Sequence, residues 1–377
     1  MKLSILQENL AAGLGIVGRA VASKSTLPVL SNVLLDARDG KLKLSATNLE
    51  IGVNCSVGAS VAHEGAVTIP ARLLTELVSS LPSERVELIL DEDTQTLNIK
   101  CGKFVTNIKG IDAGEFPIVT AFYGDSIELA PDTLRTMIEQ VTFAAATDEA
   151  RPILTGVLVQ IQHGQLTMAA ADGFRLSVKH SNGLSDELAT EAIIPAAALV
   201  ELGRLLKDQI EPVKVSISPD TKKVSFILTD VELISQLIEG RFPDYTQIIP
   251  KSHTTRAVMD KDELLKAVKI SHLFARDAAN IVKFTIFSAD RSENGTGFVT
   301  LQAISAELGD NIADVPAEVE GAGMEIAFNS QYMMQALGAI STPQVALETA
   351  VSSSPGTLRP VGDDKLTLVT MPMHMNK

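Results

Sequence analysis

The chain repeats part of itself. Pro28-Val29-Leu30-Ser31-Asn32-Val33-Leu34-Leu35, followed by Gly40-Lys41-Leu42-Lys43-Leu44-Ser45-Ala46, returns as Pro152-Ile153-Leu154-Thr155-Gly156-Val157-Leu158-Val159 with Gly164-Gln165-Leu166-Thr167-Met168-Ala169-Ala170. Pro28 and Pro152 are 124 residues apart, about a third of the 377-residue chain. The offset persists further on, where Thr68-Ile69-Pro70-Ala71 matches Ile193-Ile194-Pro195-Ala196 and Gly114-Glu115-Phe116-Pro117 matches Gly240-Arg241-Phe242-Pro243. A third copy is fainter: Ile326-Ala327-Phe328-Asn329-Ser330 precedes a helical run to Ile340, and Leu358-Arg359-Pro360 precedes a last apolar strand. Solenoid units span roughly 20 to 50 residues, whereas a unit of about 100 to 150 holds its own core. Three similar globular domains are expected, with boundaries at 1–122, 123–252 and 253–377.

Within each unit the pattern alternates strand and helix. In the first, Leu3–Ile5 reads as a strand and Glu8–Ala22 as a helix with Leu10, Leu14, Val17 and Val21 on its apolar face. Val29–Leu35 and Lys41–Ala46 read as a hairpin across Asp39-Gly40, a pair suited to a turn with positive φ. A strand at Glu50–Val57 follows, then Gly65–Ile69, a helix opened by Pro70, and strands at Val86–Leu90, Thr96–Cys101 and Phe104–Lys109. The class is α+β, with each domain made of two βαβββ halves.

The formal charge of −14 opposes adhesion to nucleic acid by bulk attraction, so any DNA contact must come from a local basic surface. No apolar run approaches the roughly 20 residues of a membrane span, and the first residues lack a signal-peptide pattern, which predicts a cytoplasmic protein with no membrane partner. Cys55 and Cys101 are the only thiols and read as buried and reduced. Tryptophan is absent and aromatics are 4% of the chain, a poor basis for a base-stacking platform.

Three segments together resemble the bacterial DNA polymerase III beta subunit family, the sliding clamps: Gly240-Arg241-Phe242-Pro243-Asp244-Tyr245, Ala171-Asp172-Gly173-Phe174-Arg175-Leu176 and Met371-Pro372-Met373-His374-Met375. The resemblance covers essentially the whole chain, including Thr26-Leu27-Pro28-Val29-Leu30. It implies the DNA clamp fold and a head-to-tail homodimer closed into a ring, with helices inside and sheets outside. Such a ring encircles double-stranded DNA without regard to sequence and tethers the replicative polymerase, performing no chemistry of its own. Clamp loader, repair polymerases and translesion polymerases are implied as partners through linear peptide motifs.

Basic side chains on the inner helices would then meet phosphates through counterion release. Arg19, Arg72, Arg135, Arg204, Lys207, Lys266 and Lys269 fall on predicted helices, although a solvated helix face explains each one singly. Lys24 and Arg151 occupy loops that the resemblance assigns to DNA contact. Pro152, Ile153 and Asp148 depart from the aromatic or basic character that such a loop can have.

The resemblance also implies a peptide pocket formed by Leu154, Gly173, Phe174, Arg175, Leu176, Pro243, Ile248, Val369, Met371, Pro372, Met373, His374 and Met375. On an extended strand the alternating Met371, Met373 and Met375 share a face, and flexible thioethers suit several peptide sequences. A core strand ending the last sheet is the plainer explanation, but Pro372 cannot donate a ladder bond and favours an edge. Phe174 and His374 are departures from the family within the pocket. The resemblance places ring closure between the first and third domains, which implies contact of Thr106 and Ile108 with Leu273 and Phe274.

Enzyme readings are weaker. The six histidines have no HxxxH or HExxH spacing, so no metal is expected. Gly13-Leu14-Gly15-Ile16-Val17-Gly18 spells GxGxxG with Asp36 beyond it, yet it falls inside a predicted helix instead of a strand-to-helix turn, so no dinucleotide cofactor is expected. Asp172-Gly173 and Asp91-Glu92-Asp93 read as turns. The main rival is a monomeric three-domain peptide-binding adaptor that encircles nothing.

Overall fold

Each helix follows directly on a strand and runs into three further strands, and this arrangement recurs along the computed structural model. The structure describes residues 1–22, 26–117, 119–122, 124, 126–148, 150–187, 189–218, 220–288 and 297–374. Among these are six α-helices: α1 Gln7–Val17, α2 Ala71–Ser80, α3 Pro131–Val141, α4 Ala196–Leu205, α5 Lys261–Ala275 and α6 Ser330–Gly338. The first half-unit is Lys2–Leu6, α1, Asn32–Arg38, Lys41–Thr47 and Ile51–Gly58; the second is Gly65–Pro70, α2, Arg85–Asp91, Thr96–Cys101 and Phe104–Lys109. Four further βαβββ halves follow, the last ending on Leu366–Thr370.

The chain forms two compact units, residues 1–135 with 197–237, and residues 136–196 with 238–377. In the first, strand Lys2–Leu6 joins the meander of the second half-unit in a five-stranded sheet whose edges are Ser60–His63 and Phe104–Lys109. An eight-stranded sheet joins the first half-unit's meander to strands Val213–Ser218, Lys223–Ile227 and Val231–Gln236 through antiparallel pairing of Val231–Gln236 with Ile51–Gly58. In the second unit one twelve-stranded sheet carries the remaining strands, and Arg175–Asn182 pairs with Leu366–Thr370 in register Leu176 to Val369. A half's first strand is thus bonded into the meander of its partner half.

Local sequence explains these elements. Asp39 (φ 48°) and Gly40 (φ 72°) turn one hairpin, and His163 (φ 51°) and Gly164 (φ 69°) turn its repeat, both in the two-residue geometry that matches strand twist. Asp260 caps α5 through the Glu263 amide at 2.9 Å, and Leu264, Val268, Ser271 and Ala275 bury its inner stripe. Asn329 caps α6 through the amides of Gln331 and Tyr332. Helices α5 and α6 pack on a core that includes Phe284 and Phe328, whose rings meet edge to face at 5.5 Å.

Several boundaries differ from the sequence expectation. Residues 29–31 are not strand: Pro28–Ser31 is a 3-10 turn with Pro28 at its first position, and Pro152–Thr155 repeats it. The first helix stops at Val17 and continues as the 3-10 segment Gly18–Ala20. Pro70 and Pro195 end strands and precede their helices. The short strand Ser60–His63 carried no strong alternation and was not anticipated. No helix among the described residues is long and apolar enough to cross a membrane.

Candidate functional site

Most of the pocket residues named above lie on or beside the pairing of Arg175–Asn182 with Leu366–Thr370. Leu176 and Val369 are core, 2% and 1% exposed, clustered with Leu158 and Phe242, and Leu154 packs against that cluster. They belong to the core beneath the exposed members, because paired strands point these positions inward. Phe174, Ile248 and Met371 are the exposed apolar members, at 56%, 39% and 37%. Pro243 and His374 are also exposed, while Pro372 and Met373 are half-buried.

The strand ends at Thr370, yet the chain beyond stays pinned. Met371 donates its amide to the Phe174 carbonyl and Met373 to the Ala327 carbonyl, each at 2.8 Å, and Pro372 between them has no amide to donate. Met375 lies outside the described residues, so the shared face of the three methionines reduces to Met371 and Met373. Asp244 fixes the Pro243–Ile248 turn by accepting from the Thr246 amide (3.1 Å), the Thr246 hydroxyl (2.6 Å) and Gln247 Nε2 (2.8 Å). The bond from Thr246 chiefly, then that from Gln247, holds its carboxyl below the usual range.

Gly173 takes φ +93°, and a Cβ there would stand 2.6 Å from Arg151 Nη1. Beside it Asp172 accepts from the Phe174 and Arg175 amides at 2.8 and 3.0 Å and from Arg175 Nε at 3.0 Å. Arg151 Nη2 donates to the Asp172 carbonyl at 2.8 Å. The Arg175 guanidinium lies 4.5 Å from the Tyr332 ring centroid and 5.5 Å from that of Phe143, and also bonds Gln335. Burial, then the Asp172 charge, pushes the Tyr332 hydroxyl up from its ordinary value. Asp172 is therefore an anchored turn residue. Tyr332, Gln335 and Phe143 escaped sequence reading; the one signal was a polar and an aromatic residue three apart on α6, beside the core positions Met333, Ala336 and Leu337.

The basic candidates separate by their partners. In the first unit Arg19 lies 3.8 Å from Glu201, which also holds Arg204, and Arg72 pairs with Glu76 at 2.9 Å. Arg135 pairs with Asp132 at 3.3 Å. Lys207 follows α4 in the 3-10 turn Leu206–Asp208 and is exposed. Lys266 and Lys269 are exposed on α5 in the second unit. These three lysines have no ion pair among the described residues. Arg151 holds the Asp172 turn, and Lys24 lies outside the described residues.

Of the residues proposed for ring closure, Ile108 is 4% exposed and belongs to the core, because alternation along Phe104–Lys109 turns it inward. Phe274 is half-buried against the core holding α5. Thr106 is half-buried and Leu273 is 54% exposed; Phe104 and Val105, at 46% and 60%, are the open apolar side chains of that edge strand.

The GxGxxG glycines sit within α1 and just after it, away from any strand-to-helix turn, and a Cβ on Gly13 would meet Leu44 and Val57 at 2.7 and 2.8 Å. Among the described residues no group of three or more His, Cys, Asp or Glu can hold a metal ion.

The models of the DNA polymerase III beta subunit match in chain order: the N-terminal domain at residues 1–120, the central domain at 128–244 and the C-terminal domain at 246–374. A beta sliding clamp of Synechocystis is 33% identical, with all of both chains covered, and one of Staphylococcus aureus is 31% identical, with 99% of each covered. The crystal structure of the Bacillus subtilis DNA polymerase sliding clamp superposes over the whole of both chains with a TM-score of 0.93 at 26% identity. A Pseudomonas aeruginosa sliding clamp bound to griselimycin gives 0.92 at 28%, again over the whole of both chains. With all three domain models in order along its length and relatives above 30% identity from end to end, this chain belongs to the bacterial DNA polymerase III beta subunit family, the beta sliding clamps.

Proposed function

We propose that this non-catalytic sliding clamp works as a closed head-to-tail homodimer of three-domain protomers, divided at 1–122, 123–252 and 253–377. It surrounds duplex DNA and presents one peptide groove per protomer to the replicative polymerase, the loader and repair or translesion polymerases. The observation that carries this reading is the sixfold βαβββ repetition along the chain, which two copies would double around a closed path. Exposed Phe104, Val105 and Leu273 supply apolar surface for closure. Lys207, Lys266 and Lys269 supply cations for phosphate, with Lys24 and the ion-paired arginines as secondary contributors. Phe174, Ile248 and Met371 over a floor of Leu176 and Val369 supply an apolar groove, and the Pseudomonas relative with bound griselimycin shows that a clamp of this family accepts a ligand.

Negative-stain imaging of the purified protein, followed by retention on nicked circular and on linear DNA, tests this. A ring with an open centre, held on circles and lost from linear ends, is the expected result. A particle of monomer size that leaves both templates alike would instead establish the adaptor reading.

A further inference from the structure

Where the chain leaves Pro250 and enters the strand Thr255–Asp260, it crosses one face of the last sheet and closes a recess of about 260 Å³. Register explains its floor. Glu348 stands opposite Thr357 on neighbouring strands, so their side chains share a face, and Arg256 backs Glu348 from its other side, outside the lining. Arg359, two residues beyond Thr357, adopts the same face, and Lys251, Ser252 and His253 complete the lining.

Thr357 is 1% exposed and its hydroxyl has no hydrogen-bond partner. A buried hydroxyl left unpaired is costly, so one under the wall of a polar recess calls for an occupant. The carboxylate of Glu348 is already engaged, by Arg359 Nε at 3.0 Å, by Arg256 Nε at 3.5 Å and by His253 Nδ1 at 3.8 Å. Lys251 is exposed and has no ion pair among the described residues. Lys251 and Arg359 carry two positive charges against the one negative charge of Glu348, which leaves this recess locally positive on a chain of formal charge −14. Its volume equals roughly nine waters, smaller than a drug-sized pocket but larger than one oxyanion fills.

We propose that this recess is a binding site for a small phosphate monoester. The phosphate is held by Lys251 and Arg359, with Thr357 donating its hydroxyl to an oxygen once the wall yields to the ligand. The site lies on the sheet face that carries the peptide groove, since Thr357 stands opposite Val369, and it does not depend on ring closure.

The test is calorimetric titration of the full-length protein with glycerol phosphate and with inorganic phosphate at low salt, alongside Lys251→Gln, Thr357→Val and the remote control Lys103→Gln. Saturable binding is expected that weakens by about tenfold in either site variant, the effect of one lost charged hydrogen bond, and stays unchanged in the control. Tighter binding of the monoester identifies a phosphorylated small molecule as occupant. Equal binding of both probes would overturn the monoester in favour of the free anion. Failure of both probes to saturate, or affinity untouched by both site variants, overturns the site. Lys251→Gln alters only a surface side chain, so it decides the matter even if the strand variant folds poorly.

Discussion

Gly13 and Gly15 look alike in sequence and face opposite environments. A methyl at Gly13 would press on Leu44 and Val57, whereas nothing lies within 4 Å of a Cβ at Gly15. Overpacking costs about 1 to 3 kcal/mol and replacing helical glycine by alanine returns about 1 kcal/mol. Gly15→Ala should therefore raise the urea midpoint and Gly13→Ala lower it. His180 supplies a pH-dependent effect. Burial, and secondly Lys179, depress its imidazole below the ordinary 6.5. The unfolded chain then binds a proton that the folded chain resists, so stability is full above pH 6.5 and falls as pH drops through that value towards the folded one. His180→Gln, followed by denaturant unfolding at several pH values, should flatten that part of the slope. Cys55, pushed up to about 11 by burial and then by Asp230, should resist thiol reagents at pH 8 until the protein unfolds.

At the scale of elements, residues 371–374 are held by two amide hydrogen bonds and contribute nothing to the core cluster that contains Val369. Removing residues 371–377 should leave the melting temperature within a few degrees, since lost surface contacts of this kind change stability only slightly. The same truncation should abolish binding of a clamp-binding peptide in fluorescence anisotropy; an unchanged affinity would remove this segment from the groove. Repeated hairpins were readable in advance because a two-residue turn with positive φ at both positions is set by its own residues, as at Asp39-Gly40. The 3-10 turns at Pro28 and Pro152 were not. An apolar run reads as strand until the fixed φ of proline and the following strand's pairing divide it.

At the scale of the molecule, the proposed contact with DNA depends on where charge remains unpaired. Glu201 engages both Arg19 and Arg204, and Glu76 engages Arg72, so these cations are already partly satisfied. Lys266 and Lys269 are open, and Lys266→Glu with Lys269→Glu should shorten retention on circular DNA while leaving the oligomer and the melting temperature unchanged. The logarithmic salt slope should fall by about 0.9 for each phosphate contact removed. A double variant retained as long as the parent at every salt concentration would exclude α5 from DNA contact.

The sequence by itself determined the alternation of strands and helices, the hairpin at Asp39-Gly40, the apolar face of the first helix and the two-halved plan of each unit, because each depends on residues a few positions apart. The family was legible for the same reason: its three motifs are short and contiguous. Tertiary structure alone decided that Ile108, Leu176 and Val369 face inward, that Tyr332, Gln335 and Phe143 surround Arg175, and that Thr357 lies unpartnered beneath a recess. Those facts depend on which strands become neighbours, as where Ile51–Gly58 meets Val231–Gln236 and Arg175–Asn182 meets Leu366–Thr370. Such pairings are selected by burial of whole faces across about 180 to 190 residues of chain, a contact energy that no local window of sequence contains.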